Sequence, residues 1–132
     1  MSGSGCGVLD GLKFDESGLI PAVVQDADNG DVLMVGYMNR VSVERTLVTG
    51  RVTFWSRSRQ EYWIKGERSG NTQELVEMRV DCDQDCLLVL ARQTGPACHE
   101  GYRSCFYRRI LDDDLQVIAE RLKTPEEMYG AR

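Results

Sequence analysis

The densest group of metal-binding side chains in this 132-residue chain lies between residues 81 and 105. This segment holds four of the five cysteines, the only histidine, and three aspartates at alternate positions. In a chain without an export signal, cysteines in such numbers serve metal binding or catalysis more often than disulfide formation. The segment therefore predicts a metal centre, and we interpret the rest of the chain as its scaffold and its binding surface.

The composition is that of an ordinary globular domain, with 42% hydrophobic and 28% charged residues. No apolar run approaches the ~20 residues that span a bilayer, and no signal-peptide pattern begins the chain. We therefore expect a cytoplasmic protein with no membrane partner. The net charge of −5 argues against nucleic acid as a partner. The expected organisation is a flexible tail at 1–11, a single domain at 12–123 and a C-terminal tail at 124–132.

In the first third of the chain, the pattern predicts a β-hairpin followed by a helix. The dipeptide Asn29-Gly30 is a strong hairpin signal between a short strand at 22–25 and a buried strand at 32–38. A helix is predicted over 40–49, because an asparagine that can cap it precedes it and a glycine follows it. Its expected buried side consists of Val41, Val43, Leu47 and Val48.

Further strands are predicted at 52–56, 61–65, 86–93 and 105–110, which are rich in β-branched, aromatic or aliphatic residues. An amphipathic helix is predicted after residue 112. Its apolar side would consist of Leu115, Ile118, Ala119 and Leu122. The expected fold class is thus mostly β (α+β), a single compact domain of mixed strands with two short helices.

Residues 72–85 are predicted to be extended, which separates their side chains into two sets. The core-side set is Val76, Met78, Val80 and Cys82, and the opposite set is Glu77, Arg79, Asp81, Asp83 and Asp85. Three neighbouring carboxylates resist ionisation unless a cation neutralises them, and oxygen ligands of this kind suit Mg²⁺. The alternative is an acidic strand end that only contacts water.

Cys98 and Cys105 flank a glycine-containing loop, which makes them candidates to hold one zinc ion. Cys82 or Cys86 can supply a third thiolate, and the alternative for either is a small core residue. His99 is the candidate general acid or base, because its ordinary pKa lies near neutrality. It can also be a fourth zinc ligand or an exposed loop residue.

The basic segment 51–68 and the glycine-containing loop after it predict a binding surface for a phosphorylated small molecule. Arginine binds phosphate oxygens in pairs, and glycines let backbone N–H groups approach an anion. The candidate substrate-binding residues are Ser56, Arg57, Ser58, Arg59, Lys65, Glu67, Ser69 and Asn71. The alternative is an exposed strand pair with solvated charges.

Four motifs, in this order, resemble the phosphoribosyl-AMP cyclohydrolases of histidine biosynthesis. They are FWSRSR at 54–59, KGERSGN at 65–71, DCDQD at 81–85 and CHEGYRSCF at 98–106, and the similarity extends over about residues 12–111. The resemblance implies an enzyme that opens the adenine ring of 1-(5-phosphoribosyl)-AMP by hydrolysis at the N1–C6 bond. A zinc-stabilised module that binds a nucleotide without turnover is the remaining alternative.

The resemblance also implies roles for individual residues and an assembly. Zinc would be held by Cys82 from one subunit and by Cys98 and Cys105 from its partner. Magnesium would be held by Asp81, Asp83 and Asp85, and His99 would transfer protons. The implied assembly is an intertwined homodimer with shared active sites, and we expect its strands to form a barrel-like sheet. Cys86 and Glu100 depart from the usual family pattern.

Overall fold

The computed structural model describes residues 6–129, which form eight strands and three helices. In chain order the strands are β1 (Ile20–Asp26), β2 (Val32–Met38), β3 (Thr53–Ser56), β4 (Glu61–Ile64), β5 (Gln73–Val80), β6 (Leu87–Gln93), β7 (Arg108–Leu111) and β8 (Asp114–Val117). The helices are α1 (Cys6–Asp10), α2 (Arg40–Thr49) and α3 (Pro125–Tyr129). The mostly β, α+β class is confirmed, with one helix more than expected.

The central sheet has four strands in the order β2-β1-β6-β5. Strands β1 and β6 run parallel, whereas β1–β2 and β5–β6 pair antiparallel. Two further hairpins, β3–β4 and β7–β8, form separate two-stranded sheets. The expected barrel-like sheet is therefore wrong for residues 6–129, because the central sheet stays open and the hairpins do not close it.

The hydrophobic core covers one face of the central sheet. Val24 of β1 and Val89 of β6 are fully buried there, in the same cluster as Val43 of α2 and Phe54 of β3. The opposite face is less covered: the register partners Val35, Val23 and Leu88 form an apolar row, and Val35 is 44% exposed. The sheet is thus buried on one side and only partly covered on the other.

Helix α2 has the predicted bounds but buries a different side. A capping box between Asn39 and Ser42 begins it, and a left-handed Gly50 ends it. Its buried residues are Ser42, Val43 and Thr46, whereas the predicted Val41, Leu47 and Val48 are exposed. Thr46 explains why this side of the helix is buried: its hydroxyl accepts a hydrogen bond from the backbone N–H of Thr53 at 3.0 Å, which fixes this side against β3.

Strand β5 does not follow the predicted alternation. Leu75 pairs with Ala91 and Glu77 with Leu90, which leaves Val76 as an unpaired bulge residue and shifts the side-chain order. The strand then ends before the aspartates. Val76, Val80 and Cys82 are exposed, and of the predicted core-side set only Met78 packs against the core. The predicted core-side set is therefore wrong for those three residues.

The predicted C-terminal helix is also wrong, because residues 108–117 form the β7–β8 hairpin. Its turn places Asp112 at a φ of 56°, and Ile110 pairs with Leu115 across it. Asp112 and Asp113 therefore form a turn and not a helix start, and the preceding strand begins three residues later than predicted. The exposed apolar residues of this region include Ile110, Leu111, Leu115, Val117, Ile118 and Leu122.

Both short terminal helices occupy segments where tails were expected. Helix α1 precedes Leu12, and its Leu9 is 5% exposed; in α3, Met128 is 8% exposed. Residues 1–5 and 130–132 lie outside the described part of the chain. No helix within residues 6–129 has the length and apolarity needed to cross a membrane.

Candidate active site

The three aspartates lie together on the turn between β5 and β6. The carboxylate of Asp81 accepts the backbone N–H groups of Asp85 at 2.9 Å and of Cys86 at 3.1 Å. One carboxylate oxygen each from Asp81, Asp83 and Asp85 then lies within 4.8 Å of the others, and all three side chains are exposed. The carboxylate cluster predicted from the sequence is present, although a turn rather than a strand face forms it.

Crowding perturbs the protonation of this cluster. Hydrogen bonding to Asp83 and Asp81, together with desolvation and their negative charges, raises the pKa of Asp85 to about 6. Desolvation alone would raise the pKa of Asp81. The hydrogen bonds from the N–H groups of Asp85 and Cys86 outweigh this effect, so the pKa of Asp81 lies below its ordinary value. A divalent cation would neutralise the mutual repulsion, so the donor set fits Mg²⁺.

The two candidate zinc cysteines lie on the loop between β6 and β7. Cys98 is buried, and its N–H donates to the carbonyl of Tyr102 at 3.1 Å. Cys105 is exposed, and its N–H donates to the carbonyl of Leu33 in β2 at 2.7 Å. Backbone hydrogen bonds therefore fix both cysteines before any metal binds.

Arg103 anchors this cysteine loop, residues 94–107, to the end of β1. Its guanidinium donates to the carboxylate of Asp26, which is 1% exposed, and to the carbonyl of Gln93 at 3.3 Å. Burial alone would raise the pKa of Asp26. The hydrogen bonds from Arg103, Asp28 and Asn29 outweigh this effect, so the pKa of Asp26 lies below its ordinary value. This pair carries no signal in the sequence, because no local pattern links positions 77 residues apart.

Lys65 joins the cysteine loop to the end of β4. It is buried, and its ammonium donates to the carbonyl of Ala97 at 2.5 Å. Burial lowers its pKa, and the charges of Cys105 and Cys98 partly offset this. Although Cys105 touches solvent, desolvation and the neighbouring Cys98 raise its pKa to about 11, against the effect of Lys65. Two adjacent thiols beside one cation form a donor pair whose chemistry fits zinc.

The third predicted thiolate is not beside this pair. Among residues 6–129, Cys82 does not form a three-ligand group with Cys98 and Cys105; it is exposed on the aspartate turn. Cys86, the alternative, is half-buried at the end of the same turn. Burial and the adjacent aspartates raise the pKa of its thiol. One chain therefore presents two of the three thiolates at one place.

His99 projects into solvent next to Cys98, with its side chain 78% exposed. Its Nε2 lies 3.5 Å from the carboxylate of Glu100, a contact that is an ion pair when the imidazole is protonated. The other carboxylate oxygen of Glu100 lies 3.8 Å from Arg121. The imidazole is thus accessible to a ligand from solvent, and the carboxylate of Glu100 lies close enough to accept a hydrogen bond from the protonated ring.

A cavity of about 450 Å³, here called the basic cavity, opens beside Lys65. Of the predicted substrate-binding residues, Arg59, Lys65, Glu67 and Ser69 line it. Arg68 joins them; it lies inside the predicted basic segment but was not singled out. Because Lys65 both lines the cavity and contacts the cysteine loop, the basic cavity and the thiol pair meet at one side chain.

The remaining predicted binding residues lie elsewhere. Ser56, Arg57 and Ser58 line a second cavity of about 470 Å³, where Arg57 stacks over the ring of Tyr37 at 4.0 Å. Asn71 is 4% exposed and lines neither of these two cavities. The residues of the basic segment are thus divided between two neighbouring cavities, and Trp63 lines both of them.

Comparison with known proteins agrees with the resemblance seen in the motifs. The family model described as phosphoribosyl-AMP cyclohydrolase matches residues 34–107. The phosphoribosyl-AMP cyclohydrolase of Roseobacter denitrificans is 60% identical, over 88% of this chain and 88% of its own length. Those of Dinoroseobacter shibae (64% identical; 82% and 92%) and Pelotomaculum thermopropionicum (54% identical; 94% and 97%) match similarly. The chain belongs to the phosphoribosyl-AMP cyclohydrolase family.

Proposed function

We propose that this protein hydrolyses the adenine ring of 1-(5-phosphoribosyl)-AMP in histidine biosynthesis. Water adds at C6, the N1–C6 bond breaks, N1 gains a proton, and the product is the formimino-carboxamide ribotide. Membership of the family supports a hydrolase that acts on a cyclic amidine. The observation that carries the proposal is the position of Lys65, which connects the basic cavity with the cysteine loop.

The substrate has two phosphate groups, and the surface around Lys65 offers donors for both. Arg59 and Arg68 line the basic cavity, and Arg57 lies in the neighbouring cavity. Guanidinium groups bind phosphate oxygens with charge-assisted hydrogen bonds. We therefore place the phosphates at these arginines and the purine towards Lys65, where the cysteine loop begins.

Two sets of side chains would hold two different metal ions. Cys98, Cys105 and the partner subunit's Cys82 would hold zinc, and Asp81, Asp83 and Asp85 would hold magnesium. Zinc in a site with three protein ligands acts as a Lewis acid and lowers the pKa of water to ~7. The thiol pair and the carboxylate cluster each fit the ion assigned to it by donor type.

His99 is the residue that we assign to proton transfer. It would take a proton from the attacking water and return one to N1 as the bond to C6 breaks. Its exposed ring can approach a substrate that enters from solvent, and the nearby carboxylate of Glu100 would stabilise the protonated imidazole between the two steps.

A homodimer with shared sites would complete the zinc ligands. Cys82 is exposed on its turn and apart from Cys98 and Cys105, so a second subunit is the simplest source of the missing thiolate. The partly covered row of Val35, Val23 and Leu88 offers apolar surface for such an association. Isologous contact would form two equivalent sites per dimer.

The direct test is a turnover assay with phosphoribosyl-AMP on protein of measured zinc content, with and without Mg²⁺ and after zinc is stripped. We expect ring opening that requires both ions. Full zinc content and AMP binding without turnover under any condition would instead establish a zinc-stabilised nucleotide-binding module.

Mixing two inactive variants tests the shared site. Cys82→Ser and Cys105→Ser each remove one thiolate, so neither homodimer has a complete site. After subunit exchange, half of the dimers are hybrids with one intact site, and activity should return to about a quarter of the wild-type value. If all three ligands came from one chain, mixing would restore nothing.

A further inference from the structure

We infer that Tyr129 is a substrate-positioning residue: its ring forms an aromatic wall of the basic cavity and stacks on the bound nucleotide. The inference rests on the proposed function for the identity of the substrate. The matched family segment ends at residue 107, so Tyr129 lies beyond it. The motifs gave no signal for it, because it lies at least 61 residues along the chain from the other aromatic and basic residues around the cavity.

The segment that leads to Tyr129 is attached to the cysteine loop. The N–H groups of Leu122 and Lys123 donate to the carbonyl of Gly101 at 2.8 and 3.2 Å. Gly101 has a φ of 94°, and a Cβ there would overlap the carbonyl oxygen of Lys123. The two segments therefore approach closely only because residue 101 is glycine, and this contact fixes the start of the C-terminal segment.

Helix α3 then holds Tyr129 in place despite its length of five residues. The N–H of Thr124 donates to the carboxylate of Glu127 at 2.7 Å, and the N–H of Glu127 donates back to the hydroxyl of Thr124 at 3.2 Å. This is a capping box, with Pro125 in the first helical position. Met128 is buried and ties the helix to the domain. Tyr129 follows directly and lines the basic cavity.

The surroundings of Tyr129 match the chemistry of a nucleotide. Arg68 and Ser69 supply donors for a phosphate, and Tyr62 and Trp63 of β4 supply two further aromatic rings. Tyr129 is 41% exposed, so its side chain retains free surface on which a ligand can pack. Stacking of a base on an aromatic side chain tolerates different bases and contributes affinity in addition to phosphate contacts.

The test compares Tyr129→Ala and Tyr129→Phe in the full chain, with AMP as the binding probe and phosphoribosyl-AMP as the substrate. Tyr129→Ala removes the ring, and we expect a roughly tenfold weaker Kd for AMP and a similar rise in KM, with kcat changed less than about twofold. Tyr129→Phe keeps the ring and should bind AMP within about twofold of wild type. Leu122→Ala is the matched control, because Leu122 is exposed in the same segment but does not line the cavity.

Thermal unfolding of each variant separates binding from folding. If Tyr129→Ala does not fold, Tyr129→Leu replaces it, since leucine preserves apolar bulk but has no aromatic face. Unchanged AMP affinity in the ring-deleted variant, or an equal loss in Tyr129→Phe, would overturn the stacking role. A wild-type protein that binds AMP through Tyr129 but never turns over phosphoribosyl-AMP would refute the proposed function and leave this contact established.

Discussion

The aspartate turn and the cysteine loop bear the two candidate metal sites, and they are built in opposite ways. Hydrogen bonds among near neighbours close the aspartate turn, and all three carboxylates are exposed. The cysteine loop depends on distant residues: Asp26 of β1, Leu33 of β2 and Lys65 after β4. The first site is thus set by six consecutive residues, 81–86, with one backbone contact from Lys13 to Gln84, and the second is a property of the fold.

This difference predicts different consequences of mutation. Removal of a carboxylate from the aspartate turn should affect ion binding without weakening the fold, because the side chains bury almost no surface. Removal of an anchor of the cysteine loop should weaken both the fold and zinc retention, since the same contacts serve both. The predictions below test this contrast, beginning with the largest expected effect.

Asp26→Asn should destabilise the protein most. Breaking a buried ion pair costs about 3–5 kcal/mol, and we expect about 2–3 kcal/mol here because the side chain of Arg103 is 36% exposed. Zinc should also dissociate faster, because Arg103 no longer holds the loop. Urea unfolding and zinc release to a chelator measure the two effects. Asp28→Asn is the control, since Asp28 is an exposed neighbour that offers only its backbone N–H.

The same pair gives a pH dependence with a defined sign. The pKa of Asp26 is below its ordinary 3.8 in the folded state, so this carboxylate stabilises the fold above that pH. The contribution is lost as the pH falls through the lower, folded-state pKa. Below about pH 4, the unfolding free energy should therefore fall more steeply with decreasing pH in the wild type than in Asp26→Asn. Equal slopes would show that the fold does not lower the pKa of Asp26.

Lys65→Met should weaken ligand binding more than stability. Methionine retains the apolar stem but loses the ammonium, which removes a charge-assisted hydrogen bond and the cation between the basic cavity and the thiols. We expect AMP binding about tenfold weaker or more, because the proposed nucleotide site loses its buried cation, and hydrogen bonds to charged groups contribute about 1.5–3 kcal/mol. The unfolding free energy should also fall, but by less than in Asp26→Asn, since removal of the desolvation cost of the buried cation partly offsets the loss of the anchor to Ala97. Titration calorimetry with Lys13→Met, an exposed control, tests this.

Asp83→Asn and Asp85→Asn should weaken Mg²⁺ binding without destabilising the fold. Fewer carboxylates lower the affinity for Mg²⁺, by roughly tenfold or more, because ligand charge sets affinity in oxygen sites. The unfolding midpoint should stay the same or rise, since hydrogen bonding to Asp83 and Asp81, with desolvation and their negative charges, raises the pKa of Asp85 to about 6 and shows how crowded the cluster is. Glu77→Gln, an exposed carboxylate outside the turn, is the control. A large drop in stability would contradict the local character of this site.

The same contrast explains what the sequence predicted. Residues 81–85 and the capped helix α2 depend on neighbours in the chain, so their grouping and bounds were predicted. The bulge at Val76, the buried side of α2 and the Asp26–Arg103 anchor depend on partners from distant strands. The second half of the hairpin, after residue 112, was mistaken for a helix because its apolar residues fit both periods, and only the turn at Asp112 distinguishes them.

Glu100→Thr should have the smallest effect of these changes, and it refines the comparison within the cysteine loop. Glu100 lies 3.5 Å from His99 and 3.8 Å from Arg121. Both pairs are exposed to solvent, where ion pairs contribute about 0–1 kcal/mol. Zinc retention and the unfolding midpoint should therefore stay close to wild type, in contrast to Asp26→Asn. The variant's kcat should fall more than its zinc content, because the acceptor beside His99 is lost while the buried anchors remain. Loss of zinc in Glu100→Thr would instead place the surface ion pairs among the contacts that hold the loop.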